Sequence, residues 1–231
     1  MASTERDPEH RGGGDATTPD RIRDAAVDRF GRDGFGAGLR AVAADAGVTA
    51  GLVVHHFGSK DGLRKACDAH VLSIVRTEKT KVLTDGSALT LLTQLAGAER
   101  FAPTVRYLVR SLQAGGALAA ALVDQMIADA DAYLAAGVAA GVVRPSRDPA
   151  ARARYLAHQN VGAMLLWFGL HPPAADHAAF REQFRRYVDQ VTAPALELFA
   201  QGLLVDRSML DDYLMYVPDP PTEGPAAAAA H

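Results

Sequence analysis

Residues 39–60, LRAVAADAGVTAGLVVHHFGSK, constrain this chain more than any other stretch. Leu39, Val42, Ala43 and Ala46 recur at three- and four-residue spacing, which places them on one face of a helix. Gly47 follows where a helix C-cap needs the left-handed conformation that glycine adopts at little cost. Val48 is apolar and can plug the corner. Thr49 is a good N-cap for a second helix, on which Val53 and Phe57 share a face. Gly58 ends that helix and Ser59 caps a third, with Lys60 and Asp61 in its first turn. Two short helices joined by a tight turn form a helix-turn-helix. It holds the second helix proud of the domain, so that its outer face can enter a DNA major groove. The same spacing also suits an ordinary helical hairpin in a bundle.

The flanking sequence completes a small helical domain. Thr18-Pro19 reads as an N-cap followed by proline at the first helical position. Ile22, Ala25, Ala26 and Phe30 follow at helical spacing, and Gly31 and Gly34 close the helix. The run GFGAG at 34–38 has no apolar strand before it, so it is not a dinucleotide-binding loop. It reads as an inter-helix turn with Phe35 packing inward. The helix from Ser59 continues to about Leu83, long enough to link two domains.

With these residues in view, residues 21–63 resemble the DNA-binding domain of the TetR (tetracycline-repressor-like) family. The matching pieces are IRDAAVDRF (22–30), DGF (33–35), LRAVAADAGVT (39–49), GLVVHHF (51–57) and SKDGL (59–63), in the family's order and spacing. The resemblance implies DNA contacts at Ala50, Gly51, Leu52, Val54, His55 and His56, phosphate contacts at Thr49 and Lys60, and a guanine-reaching position at Arg40. The sequence departs from the family in three places. Val54 stands where an aromatic phosphate contact is usual, Gly38 where a threonine cap is usual, and Ala50 and Leu52 where polar readers are common. The direct-readout set is therefore thin, which favours dependence on DNA shape. Arg21, Arg23, Lys60, Arg64 and Lys65 could supply phosphate charge.

Beyond the motif the chain reads as a series of helices with no alternating strand pattern. The expected fold class is all-α. A three-helix DNA-binding domain occupies 18–62 and a larger helical bundle 63–217, between a disordered arm at 1–17 and a disordered tail at 218–231. A net charge of −3 gives no global basic signal, but local charge on one face is what DNA meets. The single cysteine, Cys67, excludes an internal disulfide and a four-cysteine zinc site and reads as a small apolar filler. Adjacent histidines point about 100° apart on a helix, so His55 and His56 do not chelate one ion, and no metal or cofactor is expected. No apolar run reaches the roughly 18 residues that span a bilayer, and the polar N-terminus lacks a signal-peptide core. These features point to a cytoplasmic protein.

The family resemblance implies that the larger domain dimerises and holds a small-molecule pocket whose ligand releases DNA. Bulky and polar residues among apolar faces make Arg106, Arg110, Gln113, Met126, Tyr133, Gln159, Asn160, Met164 and Trp167 the pocket candidates. Helices at 149–169 and 176–202 carry more apolar residues than one face needs, and they correspond to the family's four-helix dimer interface. A two-fold dimer would select a near-palindromic operator in double-stranded DNA. The expected function is a repressor released by an unknown small-molecule effector. A regulator controlled by a protein partner is the alternative. A helical enzyme is a distant third, since no nucleophile elbow, metal spacing or phosphate loop is present.

Overall fold

The computed structural model describes residues 17–217 and residue 219, so the arm and tail expected to be disordered lie outside the described residues except for Thr17 and Asp219. The chain divides into two compact units between His70 and Val71. All regular structure among the described residues is helical.

The first unit contains α1 (Thr18–Asp33), α2 (Leu39–Asp45), α3 (Ala50–Phe57) and the first turns of α4 (Lys60–Asp85). The N-cap of α1 is Thr17, not Thr18. Its hydroxyl accepts from the Asp20 N–H at 3.3 Å, and its own N–H donates to the Asp20 carboxylate at 3.2 Å. This reciprocal pair needs an acid three residues after the cap, and Asp20 selects Thr17. Gly31, expected to close α1, is instead buried within its last turn, and Gly34 ends the helix at φ +77°.

Ile22, Ala26 and Phe30 of α1, Val42 and Ala43 of α2, Val53 of α3, and Leu63 and Cys67 of α4 form the buried core of this unit. Arg29 ties the end of α2 to α1. Its Nε and Nη2 donate to the two Asp45 oxygens at 2.6 and 2.5 Å, while Nη1 donates to Asp33 at 2.7 Å. These carboxylates raise the guanidinium pKa further still, Asp45 most strongly. A bidentate fork of this kind fixes orientation as well as distance.

The second unit continues α4 and adds α5 (Ala88–Ala96), a 3₁₀ turn (Ala98–Phe101), α6 (Ala102–Gln113), α7 (Gly116–Ala139), α8 (Pro149–Leu170), α9 (His177–Gln201) and α10 (Ser208–Leu214). The sequence suggests that the helix marked by Leu89 and Leu92 runs to about Arg100. It stops at Ala96, because Gly97 caps it and the chain tightens into the 3₁₀ turn. Helix α6 is the most deeply buried element, with Tyr107, Leu108, Val109, Ser111 and Leu112 inside. Ala130 and Leu134 of α7 pack on Ala153 of α8, flanked by Leu83, Tyr133, Val143 and Leu156. Gly137 lets α4 and α7 approach closely, since a Cβ there would lie 3.2 Å from the Leu83 carbonyl oxygen and 2.7 Å from Val143. Pro194 sits inside α9 without ending it. No helix among the described residues is long and apolar enough to cross a membrane.

Cys67 tests the packing of the first unit. Burial pushes its thiol up to about 12, and its Sγ lies 3.8 Å from the Arg23 carbonyl oxygen. Disulfide-exchange reagents attack the thiolate. In aromatic disulfide titration at pH 8, the native protein should therefore release no thiol within minutes, and the protein in guanidinium one equivalent. Rapid native labelling would contradict this packing.

Candidate nucleic-acid interface

Helix α3 is short, and both of its ends are pinned. Thr49 caps it, its side-chain oxygen accepting from the Leu52 N–H at 3.2 Å. Gly58 ends it at φ +73°, and the Gly58 N–H donates to the Val54 carbonyl at 2.8 Å. Ser59 then caps α4, accepting from the Gly62 N–H at 3.0 Å. Val53 is fully buried and Phe57 half-buried, as their shared face predicts. Gly51, Val54, His55 and His56 are exposed, while Ala50 and Leu52 are half-buried at the N-terminal end. The His55 and His56 rings meet edge-on with centroids 5.3 Å apart. Arg40 is exposed in the first turn of α2, whose N-cap Gly38 offers no side-chain hydrogen bond. Thr49 is exposed, and Lys60 is half-buried at the start of α4.

The nearby cations divide into two groups. Arg23 is engaged with Asp20 at 2.9 Å and Asp24 at 3.2 Å, and the Arg64 guanidinium lies 3.7 Å over the Phe35 ring. Arg23 is thus engaged within α1, and Arg64 ties α4 to the turn after α1. Among the described residues no ion pair engages Arg40, Lys60 or the exposed Lys65. The Arg23 pairs are local to α1 and follow from spacing, whereas the Arg64 stacking on Phe35 and the Arg29–Asp45 pair depend on which groups the fold brings near.

The pocket candidates of the second unit are dispersed. Arg106 is 3% exposed, its guanidinium 4.2 Å over the Phe180 ring and its Nη2 donating to the Asp176 carbonyl at 3.2 Å. Tyr133 packs on the α7–α8 cluster, and burial raises its phenol pKa. Trp167 donates from its indole N–H to Gln190 at 3.0 Å and sits among the rings of Phe168, His171 and Tyr187. Met164 is buried, and Arg110 and Met126 are half-buried. Gln113, Gln159 and Asn160 are exposed, and Asn160 bonds back to the Leu156 carbonyl of its own helix. None of the nine lines the groove of about 450 Å³ between α5, the 3₁₀ turn and α9. Leu95, Ala98, Val188, Thr192, Ala193 and Leu196 wall that groove, with Glu99, Arg185 and Asp189 as its charged residues.

Residues 22–67 match the family model described as bacterial regulatory proteins of the tetR family, and residues 99–205 match a tetracyclin repressor-like C-terminal domain. The chain is 49% identical over 200 residues to the HTH-type transcriptional regulatory protein RaaS of Mycobacterium tuberculosis, covering 87% of this chain and 93% of that protein. The chain belongs to the TetR family. A solved TetR-family regulator structure from a Rhodococcus species shares the fold, with a TM-score of 0.53 and 20% identity over 76% of this chain and 98% of that one.

As in its relatives, this TetR-family chain is a transcriptional regulator, and the family's regulators bind DNA and are typically dimers. One residue that matters to the motif lay beyond the sequence reading. A Cβ on Gly62 would overlap the carbonyl oxygen of Phe57, so glycine is what lets α4 start against the end of α3. The signal available was its place three residues after the Ser59 cap, but the close approach needs coordinates. Gly62→Ala should destabilise the protein by about 1–3 kcal/mol through overpacking, and Thr49→Ala by about 1 kcal/mol through cap loss. Both are readable by urea denaturation; unchanged midpoints would show that neither end of α3 is constrained in this way.

Proposed function

We propose that this chain is a homodimeric repressor that reads a near-palindromic operator with α3 and releases it when a small molecule binds the second unit. The observation that carries the DNA reading is the two-sidedness of α3. Its inner face is sealed by Val53, and its outer face carries Gly51, Val54, His55 and His56 with no carboxylate anywhere on the helix. Gly51 and Ala50 permit close backbone approach. Leu52 packs on a thymine methyl, and His55 and His56 reach base edges or phosphates. Thr49 and Lys60 hold phosphates, and Arg40 reaches a guanine edge. Because α3 itself carries no lysine or arginine, much of its selectivity comes from groove shape. A regulator of this kind acts on the chromosome, in the cytoplasm.

Fluorescence anisotropy with the DNA flanking its own gene tests this reading. Arg40→Ala should weaken operator binding by about 1–3 kcal/mol and relax discrimination at one position. Lys60→Ala should weaken all sequences alike and reduce the salt slope by about one. Equal affinity for operator and random DNA would overturn the proposal.

The effector shifts DNA affinity only by as much as it prefers the released state. The chain has a single tryptophan, Trp167, half-buried among aromatic rings of α8 and α9. An apolar compound that displaces DNA should therefore also shift Trp167 emission with the same midpoint. If no compound in a broad apolar library releases DNA, the regulator works without a small-molecule ligand.

A further inference from the structure

The groove between α5, the 3₁₀ turn and α9 joins an apolar cleft to an excess of negative charge. Leu95, Val188 and Leu196 wall it, and Ala96, Ala98 and Ala193 are too small to fill it. At about 450 Å³ it is the size of a small-molecule site. The helix on its one side is lightly held. No residue of α5 is fully buried, and Leu91 and Leu95, one turn apart, are half-buried. A helix of nine residues depends on packing for its stability. An apolar group in the groove supplies contact that α5 lacks.

The charges at the rim do not balance. Glu99 and Asp189 flank Arg185, Glu99 at 3.9 Å from its Nε and Asp189 at 3.3 Å from its Nη1. Glu182 takes the same guanidinium, accepting from Nε at 3.1 Å and lying 2.9 Å from Nη2. Arg186 also meets Glu182, at 3.4 Å, so three carboxylates face two guanidinium groups. Arg100, next to Glu99, adds nothing to the rim, because it pairs with Glu78 at 3.4 Å and Gln94 at 2.8 Å. The Glu99 and Asp189 side chains are 51% and 62% exposed, so a ligand can reach both.

We propose that this groove is the effector site and takes an amphipathic organic cation. The apolar body lies against Leu95, Val188 and Leu196, and the positive group sits beside Glu99 and Asp189. The inference rests on the reading given above, that a small molecule binding the second unit releases DNA, and gives that molecule a place and a charge. A cation is the occupant because its charge complements the rim, whereas an acid of the same shape sets like charges side by side.

Tetraphenylphosphonium and tetraphenylborate, alike in shape and opposite in charge, test the groove by isothermal titration calorimetry on the full chain. The cation should bind at one site per chain and more tightly than the anion. Glu99→Gln with Asp189→Asn should weaken cation binding by about fivefold. Arg185 keeps Glu182 in that double variant, so its helicity by circular dichroism should not change. Ala193→Phe, which fills the cleft, should weaken the binding further. Asp124→Asn with Asp131→Asn, exposed on α7, makes the same change in net charge away from the groove and should leave binding unchanged. In the anisotropy assay the cation should release operator DNA from the unaltered chain and fail to release it from Ala193→Phe. Tighter binding of the borate, or a double variant within twofold of the unaltered chain, overturns the assignment. Cation bound in the groove without release of DNA overturns it as the effector site. The effector reading survives these results if another compound releases DNA, and falls if none does.

Discussion

A helix of eight residues does not hold together in water by its own hydrogen bonds, so everything this protein does with DNA depends on what lies under and around α3. Beneath it is a single fully buried side chain, Val53, set against a core drawn from α1, α2 and α4. At its ends are a threonine cap, a left-handed glycine and, at Gly62, the absence of a Cβ. Beside it, the Arg29 fork holds the end of α2, and with it the turn from which α3 departs. On α3 itself only Val53 is fully buried, with Phe57 half-buried beside it. Its partners carry the burial, and its outer face is left free for a groove.

The second unit is organised on the same economy around α6. That helix buries Tyr107, Val109 and Leu112 and also a charged group, Arg106. Burying a guanidinium costs free energy, which a covered plane and each accepted donor offset in part. Here Phe180 covers the plane and the Asp176 carbonyl accepts from Nη2. Asp176 is also the N-cap of α9, its carboxylate accepting from the Ala179 N–H at 2.8 Å. Arg106 therefore fastens the start of α9. Arg106, a pocket candidate by its polarity, thus also pins two helices.

The contrast between the two units explains what could be read from residues alone. In the first, each signal is local. A cap acts within three residues, a left-handed glycine acts at its own position, and a helical face repeats every three to four. Thr49, Gly47, Gly58, Val53 and the exposed histidines all fall where those rules put them. The errors are also local and small. Thr17 replaces Thr18 as cap because Asp20 selects its partner by spacing, and Gly31 is taken into the helix because its neighbours bury it. In the second unit, the candidates Tyr133, Trp167 and Gln159 are bulky or polar residues of the kinds a pocket needs but share no location, and the fold sends them to a packed cluster, an aromatic nest and solvent.

The sequence by itself determined the all-helical class, the helix-turn-helix with its caps, and the identity of the face that points outward. Those properties follow from hydrogen bonds and side-chain spacing within one or two turns. Tertiary structure alone decided which arginines reach carboxylates and rings on other elements, why position 62 is glycine, and which apolar residues beyond α9 stay in water. These depend on distances between residues far apart in the chain, such as Arg29 and Asp45 or Arg147 and Asp219, and no local rule encodes such distances.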